Sequence, residues 1–205
     1  MKELVVIGAS GHGKVVADIA LLNGYDEIVF LDDNPAIKTL GDFEVVGTSS
    51  EIPKFVEAGA DFFVAIGNSD IRRRIMDELE LAGACVPVLI HPSAVVAYDA
   101  AIGTGSVVMA KAVVSEGVTV GKGCIVNTGA VVSVDSKVAD FAHVSVGAVV
   151  GSQCNICAGD WIGIGAKVTD EVSVCPGVVA GAGALLDENV NEAGVYVRKM
   201  FKKSN

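Results

Sequence analysis

From Val96 to Val174 every sixth residue is Val or Ile: Val96, Ile102, Val108, Val114, Val120, Val126 and so on through Ile156, Ile162, Val168 and Val174. Neither a helix nor a single strand has that period. A fixed short period marks one structural unit stacked on itself, and a period of six marks a parallel β-helix. With each branched residue as the first of a hexad, the fifth is mostly small, as at Ala112, Cys124, Ala130, Ser136, Ala142, Ala148, Cys154 and Ala166. Val118, Asp160 and Val172 are the larger exceptions. The pattern predicts that both positions point inward and that three hexads close one triangular turn. Successive turns then stack about 4.8 Å apart. Gly103, Gly121, Gly151 and Gly163 recur at the second position, where they read as corners with an unusual backbone angle. A Val-rich sandwich would show short alternating runs broken by turn signals, not a phase-locked six.

The first part of the chain has a different rhythm. Leu4–Ile7 reads as a strand, 8–13 as a Gly-rich turn, and Lys14–Leu22 as an amphipathic helix stopped by Asn23-Gly24. Strands follow at Glu27–Leu31 and Asp61–Ile66, then a charged helix over Ser69–Leu81. Alternating β and α predicts a small parallel sheet with helices on its faces. The expected organisation is a Rossmann-like α/β domain over residues 1–88 and a β-helix with a C-terminal tail over 89–205, changing over near Pro87 to Pro92.

Composition narrows the partners. The 205 residues carry a net charge of −10, which argues against nucleic acid or an anionic membrane. Only 5% of residues are aromatic, as suits a thin coil with no room for large rings. The start of the chain shows no signal-peptide pattern, and no apolar run is long enough to cross a bilayer, so a cytoplasmic location is expected. Of the five cysteines, Cys124 and Cys154 fall at inward positions. Cys154 and Cys157 spell C-x-x-C, but the hexad register turns them apart, and neither a metal site nor a redox motif is expected.

A strand, a Gly-rich turn and a helix start together form an anion site. Gly8-Ala9-Ser10-Gly11-His12-Gly13 has the spacing G-x-x-G-x-G rather than the dinucleotide fingerprint, which argues against NAD. Asp32-Asp33 ends the next strand and Gly67-Asn68 the third, on the edge where open α/β sheets hold ligands. Their carboxylates suit ribose or sugar hydroxyls or an amine, and His12 at a helix start suits ligand contact.

These residues, with Phe30-Leu31-Asp32-Asp33, Ala65-Ile66-Gly67-Asn68, Ile90-His91-Pro92-Ser93-Ala94 and the ladder, resemble the sialic-acid O-acetyltransferase and UDP-amino-sugar N-acetyltransferase family. The likeness covers nearly the whole chain. It implies a left-handed β-helix, a homotrimer with sites between subunits, acetyl-CoA as co-substrate, and a nucleotide sugar on the N-terminal domain, in surface-glycan biosynthesis. It further implies that Ser10, Gly11, His12, Asp32, Asp33 and Gly67 bind the nucleotide sugar. By the same likeness His143, in Phe141-Ala142-His143-Val144, contacts acetyl-CoA, and Ile164, Ala182 and Gly183 touch CoA. Two stretches depart from the family. Its general-base His, in a stretch like V-V-D-H-D, is Val134 here, in Val131-Val132-Ser133-Val134-Asp135. Its closing G-x-P-A-K stretch reads Gly194-Val195-Tyr196-Val197-Arg198-Lys199.

A positioned base contributes about 10²–10⁴-fold, whereas proximity alone supplies up to about 7–11 kcal/mol. A neutral amine tolerates the loss of a base better than a hydroxyl does, so an amino sugar is the expected acceptor. His143 and Asp135 are the candidate replacement bases. The alternative is a catalytically impaired relative that binds the sugar nucleotide or a biosynthetic partner. A zinc enzyme of the β-helix type needs a cluster of His ligands, and His143 stands alone in the ladder. The basic tail, Arg198, Lys199, Lys202 and Lys203, together with Lys167, is a further candidate for CoA phosphates.

Overall fold

The computed structural model describes residues 2–197, so the basic tail from Arg198 onward lies outside the described residues. The N-terminal sheet contains β1 (Glu3–Ile7), β2 (Glu27–Leu31), β3 (Thr39–Leu40), β4 (Phe43–Gly47) and β5 (Asp61–Val64), in the order β3-β4-β2-β1-β5. All pairings are parallel except the β3–β4 hairpin. The central strand β1 is apolar on both sides because helices cover both faces. On one face, α1 (Gly11–Leu22) packs Val16, Ile19 and Ala20 with Leu4, Val6 and Phe30. On the other, α2 (Ile52–Glu57) and α3 (Ser69–Leu81) bring Ile52, Ile75 and Leu79 to Val5, Ile7, Leu31 and Phe62. Asn68 caps α3, its Oδ1 accepting the Ile71 N–H at 3.0 Å.

α1 begins at Gly11 rather than Lys14. The Lys14 N–H donates to Ser10 O at 2.9 Å, so the end of the Gly-rich stretch is the first turn of the helix. Gly13 permits this, since a Cβ there would overlap the Gly8 carbonyl. The β3–β4 hairpin and α2 occupy a stretch whose short apolar runs gave no readable period. β5 ends at Val64, short of the expected Ile66.

From Leu89 onward the chain winds as a coil of three parallel sheets. The covered face carries Leu89–Ile90, Val107–Val108, Ile125–Val126, His143–Val144, Trp161–Ile162 and Val178–Ala180. The apolar face carries Val95–Val96, Val113–Val114, Val131–Val132, Val149–Val150, Lys167–Val168 and Leu185–Leu186. The polar face carries Ala101–Ile102, Thr119–Val120, Lys137–Val138, Asn155–Ile156 and Ser173–Val174. The ladder residues from Val108 to Val174 point inward and form one core with the small fifth residues. Cys124 and Cys154 lie in it, their thiols donating to Ala139 O and Thr169 O at 3.0 Å.

The second-position glycines have a different cause from the one expected. Gly103, Gly121, Gly151 and Gly163 are absent from the left-handed positions; a Cβ on each would run into the backbone of the next coil. The left-handed angle falls instead on the fourth residue, as at Gly129 (φ 65°) and Gly147 (φ 62°) and, without glycine, at Asp135 (φ 57°) and Phe141 (φ 61°).

The outward row of the covered face positions the site. Leu89, Val107 and Ile125 lie in register and are buried against the α1 side of the N-terminal sheet. His143 and then Trp161 continue the row where that cover ends. Among the described residues, no helix is long and apolar enough to cross a membrane.

Candidate functional site

A cleft of about 290 Å³ opens at the C-terminal edge of β1, β2 and β5. Ser10, Asp32, Asp33 and Gly67 line it, with Gly8 and Arg74. Gly11 and His12 are not among its walls. Asp32 is already engaged, accepting the Ala9 N–H at 2.7 Å and the Asn34 N–H at 2.8 Å. It fixes the turn. Asp33 accepts from the N–H and hydroxyl of Ser49 through Oδ1 alone. Those bonds hold its carboxyl below the usual range and keep it ionised. Arg74 supplies the cation of the cleft; one arginine within the run Arg72-Arg73-Arg74 gave no sequence signal for that role.

The second part of the site is the seam between α1, α3 and the covered face. Arg72 is fully buried there, with 1% of its surface exposed. Its guanidinium donates to Gly123 O (2.7 Å), Ile66 O (2.7 Å), Gly67 O (2.9 Å) and Phe141 O (2.6 Å). One side chain thus ties the cleft wall to two coils. No carboxylate pairs with it among the described residues, and burial lowers its pKa to about 10. Its charge acts on both nearby imidazoles. Burial first, and Arg72 second, lower His12 to about 4. Burial, Arg72 and then His12 itself lower His143 to about 3. Both rings are neutral at pH 7. His12 Nε2 and His143 Nδ1 are buried and have no hydrogen-bond partner among the described residues.

The hydrogen bonds around His143 fix its tautomer. Asn127 Oδ1 accepts the Thr128 N–H at 2.8 Å, so the Asn127 amide nitrogen faces the ring. That nitrogen lies 3.1 Å from His143 Nε2 and donates to it. The proton therefore sits on Nδ1, and the unpartnered atom is a donor. Trp161 stacks on the same ring at 5.4 Å between centroids and 14° between planes. Its indole N–H is held by Ser145 Oγ at 2.6 Å. The arrangement offers an N–H donor at the seam, with the spare lone pair of the imidazole already used.

Residues 3–79 match the PglD N-terminal domain family. Over 96% of both chains, the protein superposes on the acetyltransferase domain of PglB from Neisseria gonorrhoeae in complex with acetyl coenzyme A, with a TM-score of 0.93 and 42% identity. PerB from Caulobacter crescentus, in complex with CoA and GDP-perosamine, gives a TM-score of 0.91 and 29% identity over 97% of this chain and 95% of that one. The chain belongs to the family of the PglB acetyltransferase domain. A UDP-N-acetylbacillosamine N-acetyltransferase of Bacillus subtilis is 32% identical over 115 residues, which is 54% of this chain and 52% of that protein. The match spans about half the length of such curated relatives.

Within this family's fold, the remaining candidates fall into two groups. Ile164, Ala182 and Gly183 share the edge between the covered and apolar faces, and the Gly183 N–H donates to Ile164 O at 2.8 Å. They lie on the coils that follow His143, and Ile164 is exposed. Val134 and Asp135 sit elsewhere, at the edge joining the apolar and polar faces. In a triangular coil that edge is opposite the covered face. His143 and Asp135 of one chain therefore look in different directions, and Asp135 is exposed at its corner. Arg72 and Asn127 were missed from sequence. Arg72 did leave a signal: it falls on the helical stripe of Ile75, Met76 and Leu79, an odd place for a charge.

Proposed function

We propose that the protein transfers an acetyl group from acetyl-CoA to the amine of a nucleotide-linked amino sugar. The observation that carries this reading is the unpartnered His143 Nδ1–H in the seam beside His12. The nucleotide occupies the cleft of Ser10, Asp33 and Gly67, and the sugar reaches the seam past His12. The thioester lies along Ile164, Ala182 and Gly183, with its carbonyl oxygen at His143. The amine nitrogen attacks the carbonyl carbon and the C–N bond forms. The oxyanion is stabilised by the Nδ1–H, the C–S bond then breaks, and CoA leaves as the thiol. His12 Nε2 receives the proton lost by the nitrogen and passes it to the departing sulfur. His143 serves as donor rather than base, because Asn127 occupies its other nitrogen.

Val134 stands at the position of the family's base, and its exposed corner makes it available to another copy of the chain. The apolar face supports a homotrimer: Val95 is 62% exposed in the isolated chain and heads a row with Val113, Val131 and Val149, followed by Lys167 and Leu185. Burying it brings the Val134–Asp135 edge of one copy toward the His143 side of the next. The enzyme then acts without that base, on an amine, in the cytoplasm.

Thiol release from acetyl-CoA with UDP- and GDP-linked amino sugars tests the reading. His143→Ala is expected to lower kcat about 10²–10³-fold, the usual loss for one oxyanion donor. Val134→His is expected to raise the rate. The exposed valine at the base position favours a second reading, a sugar-nucleotide binder. Calorimetric binding of the sugar nucleotide with no thiol release from any amino sugar selects it.

A further inference from the structure

Asp160 is an ionisable group in the coil interior, at a position that holds a small or aliphatic residue in the other hexads, and none of its surface is exposed. Elsewhere on this edge the coils are joined by main-chain rungs. Gly103, Gly121 and Ala139 donate to Val120, Val138 and Ile156, while Gly123, Phe141 and Gly159 donate to Thr104, Lys122 and Asp140. The next rung of each series is different. The Cys157 N–H goes to Asp160 Oδ2 at 3.1 Å, and the Gly177 and Val178 N–H groups go to Oδ1 at 2.9 Å. Asp160 immediately precedes Trp161, and its own carbonyl accepts the His143 N–H at 2.8 Å.

We propose that Asp160 is a positioning residue for acyl transfer: its carboxylate replaces main-chain rungs at the corner that delivers Trp161, and so sets where the Trp161–His143 stack stands. The inference rests on the acetyltransferase reading above. A continuous ladder would hold this corner at the spacing of the others. A carboxylate inserted between two coils holds it differently, and the ring that stacks on His143 hangs from that corner.

Burial pushes the Asp160 carboxyl up to about 6, opposed by the bonds from Val178, Gly177 and Cys157. A raised carboxyl means that folding favours the protonated form. The stability it contributes is complete below the ordinary carboxyl value, declines as pH rises, and is lost above about 6. At neutral pH that pH-dependent contribution is gone, while the carboxylate still accepts the Cys157, Gly177 and Val178 N–H groups. The charged and titratable groups around it are the thiols of Cys157 on its own corner and Cys175 on the next coil, Asp140 one coil back, Arg73 of α3 beside Gly159, and His143, already neutral.

Asp160→Ala and Asp160→Asn test the proposal, with Trp161, the single tryptophan, as reporter. Alanine suits the repeat and lets the rungs close. At pH 7.5 both variants are expected to remain folded while kcat falls about 10–100-fold, the scale of a small misplacement. The parent's tryptophan emission is expected to shift with a midpoint near pH 6, and both variants to lack that shift. Full activity in Asp160→Ala overturns the proposal, as does activity lost only in step with lost folding. If the parent itself transfers no acetyl group, the acetyltransferase reading fails separately. The fluorescence titration still decides Asp160, and a transition near pH 6 that persists in Asp160→Ala refutes its part.

Discussion

Arg72 carries a charge into a place where water does not follow, and four main-chain carbonyls receive it. A planar, many-donor group does this where an ammonium cannot. Arg72→Met would leave those carbonyls without their donor, at about 1–3 kcal/mol for each buried group left unpaired. A loss of at least about 3 kcal/mol in denaturant unfolding is the expected outcome, with little rescue by Arg72→Lys. The imidazoles beside it make a pH prediction. Their folded values, about 4 for His12 and about 3 for His143, lie below the ordinary 6.5. The stability of the neutral rings is thus complete above about 6.5 and is lost as pH falls toward 4 and 3. Unfolding midpoints measured from pH 7 to 4 should decline, and less steeply in a His12→Gln, His143→Gln double variant.

At the scale of elements, the coil separates two uses of glycine that one sequence pattern merged. Gly121→Ala drives a Cβ to 2.6 Å from Asp140 N, so coils must part. Overpacking of this kind costs about 1–3 kcal/mol. Gly129→Ala meets nothing within 4 Å and suffers only its φ of 65°. A left-handed residue costs about 1–2 kcal/mol, and Lys111, Asp135 and Gln153 already bear it at equivalent corners. Thermal melts of the two variants should rank Gly121→Ala as the less stable. The six-residue period was readable because stacking makes every coil meet the same environment. The start of α1 was misplaced because glycines that signal a turn also serve close helix packing, and only the Gly8 carbonyl distinguishes the two at Gly13.

For the molecule as a whole, the three outward faces divide the work. One is covered by the N-terminal sheet, one is polar, and one shows an apolar stripe. A charge placed in that stripe, as in Val131→Lys, is expected to reduce the particle to a monomer in sedimentation velocity. Activity should fall with it, since the Val134 edge and the His143 side lie on opposite parts of one chain. Unchanged mass would remove the apolar face from assembly and with it the convergence of those edges.

The linear chain alone was enough for the stacked coil, the α/β unit before it and the acidic pair at the strand ends. Each of these is set by local periodicity or by neighbours in sequence. Tertiary structure decided the chemistry of the site. Asn127 reaches His143 from the preceding coil, Arg72 crosses from a helix to two coils, and Asp32 spends its oxygens on the turn. Protonation and donor direction depend on burial and on partners far away along the chain. Only the folded contacts bring Asn127 to His143 Nε2 and leave Nδ1 without a partner among the described residues.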